Sequence, residues 1–127
     1  MPDDDSNLIS KAYKIIRAKT ETVDTEYTIH LKKRIPIGGG LGGGSSNAAA
    51  TLKALNQLWK LNLSPQELEK MGAELGADVP FFIKGGVQLI EGIGDMLTPI
   101  DLAPLKGISF LLVDRKSTRL NSSHTSI

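Results

Sequence analysis

The chain has 127 residues, a formal net charge of +1, 40% hydrophobic residues and 23% charged residues, which is ordinary for a globular domain. It contains no cysteine, which excludes disulfides and thiolate metal sites. No apolar run approaches the ~20 residues that cross a bilayer, and the acidic start MPDDDSN lacks the apolar region of a secretory signal. We therefore expect a cytoplasmic protein of one domain, or a piece of one, with no membrane partner.

The last twelve residues, KSTRLNSSHTSI, differ in character from the rest of the chain. They are polar, rich in Ser and Thr, and without helix or strand periodicity. Without their two basic residues, the chain has 13 basic and 14 acidic residues and a net charge of −1. We interpret residues 115–127 as a non-native tail that resembles a translated cloning adaptor. The mild basicity then gives no reason to expect a nucleic-acid partner.

The N-terminal part predicts one helix and one strand. Residues 7–19 predict a helix with Asn7 or Ser6 as its N-cap. Its apolar stripe is formed by Leu8, Ala12, Ile15, Ile16 and Lys19. Residues 26–35 alternate apolar and polar side chains, a period of two that predicts a strand with one buried face. The buried positions of this strand would be Tyr27, Ile29, Leu31 and Ile35, and Pro36 ends it.

Two further helices are predicted after residue 46. The first has a helical repeat of buried positions at Ala48, Ala49, Leu52, Leu55 and Trp59. The second begins with Ser64 as N-cap, Pro65 at the first position and Glu67 completing a capping box, with Leu63 and Leu68 as a hydrophobic staple. Its buried face would be Leu68, Met71 and Leu75, and Gly76 would lie just past its end as a C′ terminator.

The segments GGVQLIEG and GISFLLV predict strands, the second of them fully buried. Glu91 and Asp95, in LIEGIGD, are most simply turn residues. The elements do not alternate regularly between strand and helix, so the sequence favours an α+β fold over an α/β fold.

Residues 36–46, PIGGGLGGGSS, contain six glycines between the predicted strand and an apolar helix. Free N–H groups and the positive end of the dipole at a helix N-terminus attract anions, and glycines let the preceding backbone approach a phosphate closely. Ser45 and Ser46 could cap the helix and offer hydroxyls to a phosphate or to Mg²⁺. A flexible linker or a simple helix cap explains this pattern less well, because a cap needs only one glycine.

Two common nucleotide sites do not fit the loop. A Walker A loop aligned on Gly38 and Gly43 would need lysine where Gly44 stands. The loop does have the glycine spacing of a dinucleotide-binding fingerprint. That fingerprint also requires a strand that ends in Asp or Glu about 20 residues further on. The sequence there is LNLSPQEL, which predicts a turn and a capped helix instead.

Two segments, KRIPIGGGLGGGSSNAAATLKALNQLW and LGADVPFF, resemble the glycine-rich and aspartate motifs of the GHMP kinases. The resemblance covers residues 6–114. It implies that residues 1–114 are part of a GHMP kinase N-terminal ATP-binding domain, of the ribosomal protein S5 domain 2-like fold and incomplete. It also implies ATP and Mg²⁺ as cofactors. The small-molecule acceptor would be a cytidine-diphosphate-linked methylerythritol, phosphorylated on its 2-hydroxyl in non-mevalonate isoprenoid synthesis.

The resemblance also assigns the site. Asp78 would be the catalytic aspartate, accepting the proton of the attacking hydroxyl. The ATP phosphates would be wrapped by Pro36, Ile37, Gly38, Gly39, Gly40, Leu41, Gly42, Gly43, Gly44, Ser45 and Ser46. Ser45 or Ser46 would reach the metal of Mg·ATP, with no separate protein metal site. Lys32, Lys33 and Arg34 could attract a nucleotide, but a run of charges at a strand end is more often a solvated face, and we favour that interpretation. His30 has no metal-binding neighbours.

The chain departs from the family at both ends, because no lysine motif precedes Asn7 and no third glycine-rich motif follows. We therefore expect a central segment of a kinase with little or no activity of its own. Three alternatives remain: a mevalonate- or homoserine-type kinase of the same family, a nucleotide-binding module without catalysis, and a dinucleotide-dependent oxidoreductase.

Overall fold

The computed structural model describes residues 7–20, 25–94, 96–101 and 106–113. In chain order these form α1 (Leu8–Ala18), α2 (Gly43–Leu58), α3 (Pro65–Leu75), α4 (Val79–Lys84), β1 (Gln88–Glu91) and β2 (Met96–Pro99). The mixture of helices with a separate small antiparallel sheet confirms the α+β class. The proposed tail at 115–127 and the turn position Asp95 lie outside the described residues.

Helices α1 and α2 run side by side in the same direction. Leu8 lies against Gly44 at one end of the pair, and Tyr13 and Arg17 lie against Trp59 at the other end. The N-cap of α1 is Asn7, whose Oδ1 accepts a hydrogen bond of 2.9 Å from the N–H of Ile9. Because the helices are parallel, their N-termini lie at the same end of the molecule.

One hydrophobic core joins the four helices. All five positions predicted for the buried face of α2 are buried, whereas α1 buries Ile9 in addition to the predicted Ala12 and Ile16. Lys19, which the sequence placed on the α1 stripe, is exposed. The core cluster consists of Ala12, Ile16, Ala48, Ala49, Leu52, Leu55, Trp59, Leu68, Met71, Val79 and Ile83.

Helix α3 begins as the sequence predicts. Ser64 is the N-cap and Pro65 the first helical residue, and the capping box with Glu67 is complete. The N–H of Glu67 donates to Ser64 Oγ at 3.2 Å, and the N–H of Ser64 donates to Glu67 Oε2 at 2.8 Å. The C-terminus differs from the prediction, because Gly76 is itself the C-cap, with an extended φ of 171° rather than a left-handed one.

Three short elements follow α3 and only one of them was predicted. The ADVPFF segment continues into the six-residue α4, and β1 pairs with β2 in an antiparallel hairpin in which Glu91 faces Met96. Pro80 is compatible with α4 because it lies in the first turn, where its missing N–H leaves no bond unmade. Glu91 is the last residue of β1 rather than a turn residue.

Two predicted strands are wrong within the described residues. The segment 108–113 has no sheet partner and is exposed, with Phe110 86% and Leu111 90% accessible. The segment 26–35 is also in no sheet, and its predicted buried positions are exposed, although residues 27–31 line a cleft shared with α2. Alternation predicts a strand only if a partner supplies the ladder hydrogen bonds, and among the described residues no partner does.

No helix within the described ranges is both long enough and apolar enough to cross a membrane.

Candidate functional site

The loop before α2 turns through three left-handed glycines at alternate positions. Gly38, Gly40 and Gly42 have φ angles of 74°, 70° and 69°. A side chain in this region is strained by contact of its Cβ with the following carbonyl, so glycine is strongly favoured at these three positions. The alternation curls the backbone, so that the loop encloses space in front of the first turn of α2.

Helix α2 begins three residues earlier than a cap at Ser45 would place it. Its N-cap is Gly42, which has no side-chain cap, and Gly43 is the first helical residue. The prediction that Ser45 or Ser46 caps the helix is therefore wrong. Both serines lie inside the first turn, and the hydroxyl of Ser46 donates to the carbonyl of Gly43 at 2.9 Å. Ser46 is thus turned toward its own helix.

The first turn of α2 presents unpaired donors. The first helical hydrogen bond runs from the N–H of Ser46 to the carbonyl of Gly42 at 2.9 Å. Among the described residues, the N–H groups of Gly43, Gly44 and Ser45 have no protein acceptor. These three donors, at the positive end of the helix dipole, can bind an anion.

A cleft of about 340 Å³ lies in front of these donors. It is lined by the glycine loop from Pro36 to Ser45, by Asn47, by Lys33, and by the first residues of α1. Because α1 and α2 are parallel, the positive ends of two helix dipoles point toward the same space. The described residues that line the cleft include Lys33 and no Asp or Glu, so together with the helix N-termini they contribute positive charge to it.

Lys33 is a cleft residue that the sequence analysis assigned to the solvent. It is half-buried between the exposed Lys32 and Arg34, and it lines the cleft, whereas Lys32 and Arg34 do not. Its Nζ lies 3.0 Å from the point that a Cβ on Gly43 would occupy. A run of three basic residues does not reveal which one turns inward, because that depends on the path of the chain along α2.

Comparison with known proteins identifies the fold that carries this cleft. The model of the GHMP kinase N-terminal domain matches residues 7–86. The chain belongs to the GHMP kinase family. This confirms the family predicted from the two motifs.

Curated GHMP relatives extend the match beyond that domain. Proteins named 4-diphosphocytidyl-2-C-methyl-D-erythritol kinase are 54% identical in Marinobacter nauticus, 45% in Prochlorococcus marinus and 46% in Alkaliphilus metalliredigens. The matches cover 78%, 93% and 80% of this chain but 34%, 37% and 34% of the relatives. The chain thus spans about a third of the length of these GHMP kinases.

Within this GHMP domain, Asp78 lies outside the cleft in front of α2. It is the exposed N-cap of α4, and its side chain makes no cap hydrogen bond. It does not line the cleft described above. Helix α4 nevertheless reaches the glycine loop, because Phe82, one turn further on, packs against Gly42. Ala77, the residue before Asp78, is in contact with Gly94 in the turn between β1 and β2.

The protein ligand that the described residues offer a metal ion at this cleft is a serine hydroxyl and not a cluster of carboxylates. In the part of the chain that the structure describes, no group of three His, Asp or Glu residues could hold a metal. Of the two candidate serines, Ser45 lines the cleft and Ser46 does not. A magnesium ion would therefore fit this site only when carried by phosphate oxygens, with the Ser45 hydroxyl as a protein oxygen ligand.

Proposed function

We propose that this chain is the ATP-binding part of a kinase that phosphorylates 4-diphosphocytidyl-2-C-methyl-D-erythritol on its 2-hydroxyl, a step of non-mevalonate isoprenoid synthesis in the cytoplasm. The substrate is the one in the names of the relatives from Marinobacter nauticus and Prochlorococcus marinus. The observation that carries the nucleotide half of the proposal is the cleft in front of α2.

In this proposal the polyphosphate of ATP lies in the cleft, on the N–H groups of Gly43, Gly44 and Ser45. Oriented amides and helix dipoles stabilise phosphate charge without any change of conformation when that charge is redistributed during transfer. The left-handed glycines keep Cβ atoms out of the space that the phosphates need. Pro36 through Leu41 form the outer wall of the cleft.

Asp78 is the group proposed to act on the acceptor. Its carboxylate is exposed and makes no cap hydrogen bond to α4, so it is available to accept the proton of an attacking hydroxyl. The contact between Phe82 and Gly42 ties its helix to the phosphate loop. Mg²⁺, brought by ATP and held in part by Ser45, would supply charge neutralisation at the phosphates.

The first test is nucleotide binding by the 127-residue chain, measured by isothermal titration calorimetry. We expect Mg·ATP to bind and NADH not to bind. Ser45→Asp would place a carboxylate in the first turn of α2, where it favours the helix but repels phosphate. It should therefore abolish ATP binding without lowering the melting temperature.

Gln66→Asp is the matched control, because it introduces the same charge into the first turn of α3, outside the cleft. We expect it to leave ATP binding unchanged. An ATP affinity that is unaffected by Ser45→Asp would place the nucleotide elsewhere and overturn the proposal.

The second test concerns catalysis. The aligned segment of the Marinobacter nauticus kinase would be replaced by that of this chain, and phosphoryl transfer from ATP to 4-diphosphocytidyl-2-C-methyl-D-erythritol would be measured. We expect an active chimera that loses roughly 10²–10⁴-fold in kcat on Asp78→Asn, the range for removal of a general base. The 127-residue chain alone should transfer phosphate no faster than its Asp78→Asn variant, because it spans only about a third of the length of the relatives. An active chimera that is insensitive to Asp78→Asn would exclude the assigned role.

A further inference from the structure

The glycine at position 43 leaves space for neighbouring side chains, and its backbone conformation does not require glycine. Gly43 is the buried first residue of α2, and it is not among the glycines with a positive φ. Glycine is a poor helix former, about 1 kcal/mol less favourable than alanine in a helix interior. A Cβ at this position would lie 3.0 Å from Lys33 Nζ and 3.0 Å from Cγ2 of Ile35. The absent side chain therefore leaves room for the lysine ammonium at the N-terminus of α2.

The placement of Lys33 is electrostatically unfavourable without an anion. Its ammonium lies beside the positive end of α2, with the N-terminus of α1 lining the same cleft. Among the residues that the structure describes, no Asp or Glu lines this cleft. A cation brought close to helix N-termini is repelled by their dipoles, and a bound anion reverses the sign of that interaction.

We propose that Lys33 binds the polyphosphate chain of the nucleotide and so replaces the lysine that a Walker A loop carries after its last glycine. That position is Gly44 here. The ammonium comes instead from the segment before the loop and reaches the same helix N-terminus. This inference rests on the proposed function, because it names a further residue of the same site.

The chemistry of an ammonium group predicts which part of the nucleotide is affected. A lysine acts as a compact, strongly hydrated point charge, which suits phosphate oxygens rather than a base. Lys33 should therefore contribute to the binding of ATP and of inorganic tripolyphosphate, and contribute little to the binding of AMP.

The test uses calorimetry on the 127-residue chain with Mg·ATP, AMP and tripolyphosphate. Lys33→Met removes the charge and keeps the length of the side chain. We expect it to weaken ATP and tripolyphosphate binding at least tenfold, the range for loss of one charge-assisted hydrogen bond, and AMP binding less than twofold. Lys33→Arg should recover part of the loss, because it restores the charge.

Lys32→Met is the matched control, since it removes the same charge from an exposed neighbour that does not line the cleft. We expect less than a twofold change in ATP affinity. If Lys33→Met and Lys32→Met bind ATP equally well, the inference is wrong while the proposed function stands. If the wild-type chain binds no ATP, the proposed function fails and the inference fails with it.

A second measurement needs no variant and so does not depend on folding of a mutant. Limited acetylation of the wild-type chain, followed by mass spectrometry, reports the reactivity of each lysine. Saturating tripolyphosphate should slow acetylation of Lys33 at least fivefold and leave Lys32 unchanged. Equal rates at Lys33 with and without tripolyphosphate would contradict the inference even if ATP binds.

Discussion

The ring of Phe82 packs directly on the backbone of Gly42, so closely that a Cβ added to this glycine would lie 2.6 Å from Cζ of the ring. The contact joins α4 to the N-cap of α2. It thereby connects the helix that Asp78 precedes as N-cap with the loop proposed to bind phosphate. This packing holds together the two motifs recognised in the sequence, and Lys53 Nζ of α2 also donates to the carbonyl of Ile83 in α4 at 3.5 Å.

A comparison of Gly42→Ala with Gly40→Ala distinguishes the free-energy cost of crowding Phe82 from the cost of backbone strain. Both residues are left-handed, with φ of 69° and 70°, but a Cβ on Gly40 meets nothing within 4 Å. Gly40→Ala should cost roughly 1–2 kcal/mol of strain. Gly42→Ala should cost about 1–3 kcal/mol more, because it also overpacks Phe82. Urea denaturation followed by circular dichroism measures both, and equal losses would show that the ring moves aside without cost.

Asp78→Asn and Asn7→Ala compare two helix N-caps. Asn7 Oδ1 accepts a hydrogen bond from the N–H of Ile9, whereas the side chain of Asp78 makes no cap bond. Asn7→Ala should destabilise the chain by about 1 kcal/mol, and Asp78→Asn by less than about 0.5 kcal/mol. Thermal melts of the two variants test this. A large loss of stability with Asp78→Asn would indicate a structural role for the carboxylate.

The capping box of α3 predicts a dependence of stability on pH. The backbone N–H and then the hydroxyl of Ser64 donate to Glu67 and lower the pKa of its carboxyl below the usual value of 4.5. A lowered pKa in the folded state means that the stabilisation is present above pH 4.5 and is lost as the pH falls through the folded value.

Ser64→Ala should raise the pKa of Glu67 toward 4.5, as followed by NMR of its side-chain carboxyl carbon. It should also cost about 1 kcal/mol of helix stability at neutral pH. In Glu67→Gln the pH dependence of unfolding below pH 4.5 should be weaker than in the wild type. Because alanine keeps the backbone N–H, an unchanged Glu67 titration in Ser64→Ala would contradict only the contribution of the Ser64 hydroxyl.

Trp59, at the end of α2, holds the start of the segment 25–35 against this helix. Its Nε1 donates to the carbonyl of Thr25 at 3.1 Å, and its ring lies 6.3 Å from that of Tyr27. Trp59→Phe leaves the Thr25 carbonyl without its donor and should cost about 1–3 kcal/mol in urea denaturation. Phe110→Leu is the control, because Phe110 is 86% exposed and should change stability by less than about 0.5 kcal/mol. A loss below that level for Trp59→Phe would mean that the segment is not held by this residue.

Features that depend on neighbours in the sequence were predicted from the sequence. The capping box at Ser64 joins residues three apart, and the buried face of α2 repeats with the helical period, so each is encoded within one or two turns. The loop and aspartate motifs likewise gave the family that the comparisons confirm. The assignment of Asp78 and of residues 36–46 to catalysis and phosphate binding remains a proposal.

Features that depend on distant segments were decided by the tertiary structure. The alternation in 26–35 cannot supply the partner strand that a sheet requires, and the apolar run 108–113 is exposed because no described element covers it. Ser45 rather than Ser46 faces the cleft because α2 begins at Gly43, and Lys33 turns inward because Gly43 leaves room for it. The sequence by itself therefore determined α1, α2 and α3, since their patterns follow from local spacing, and its two motifs identified the family. Only the packing of α1, α4 and the preceding segment on α2 decided which side chains meet there.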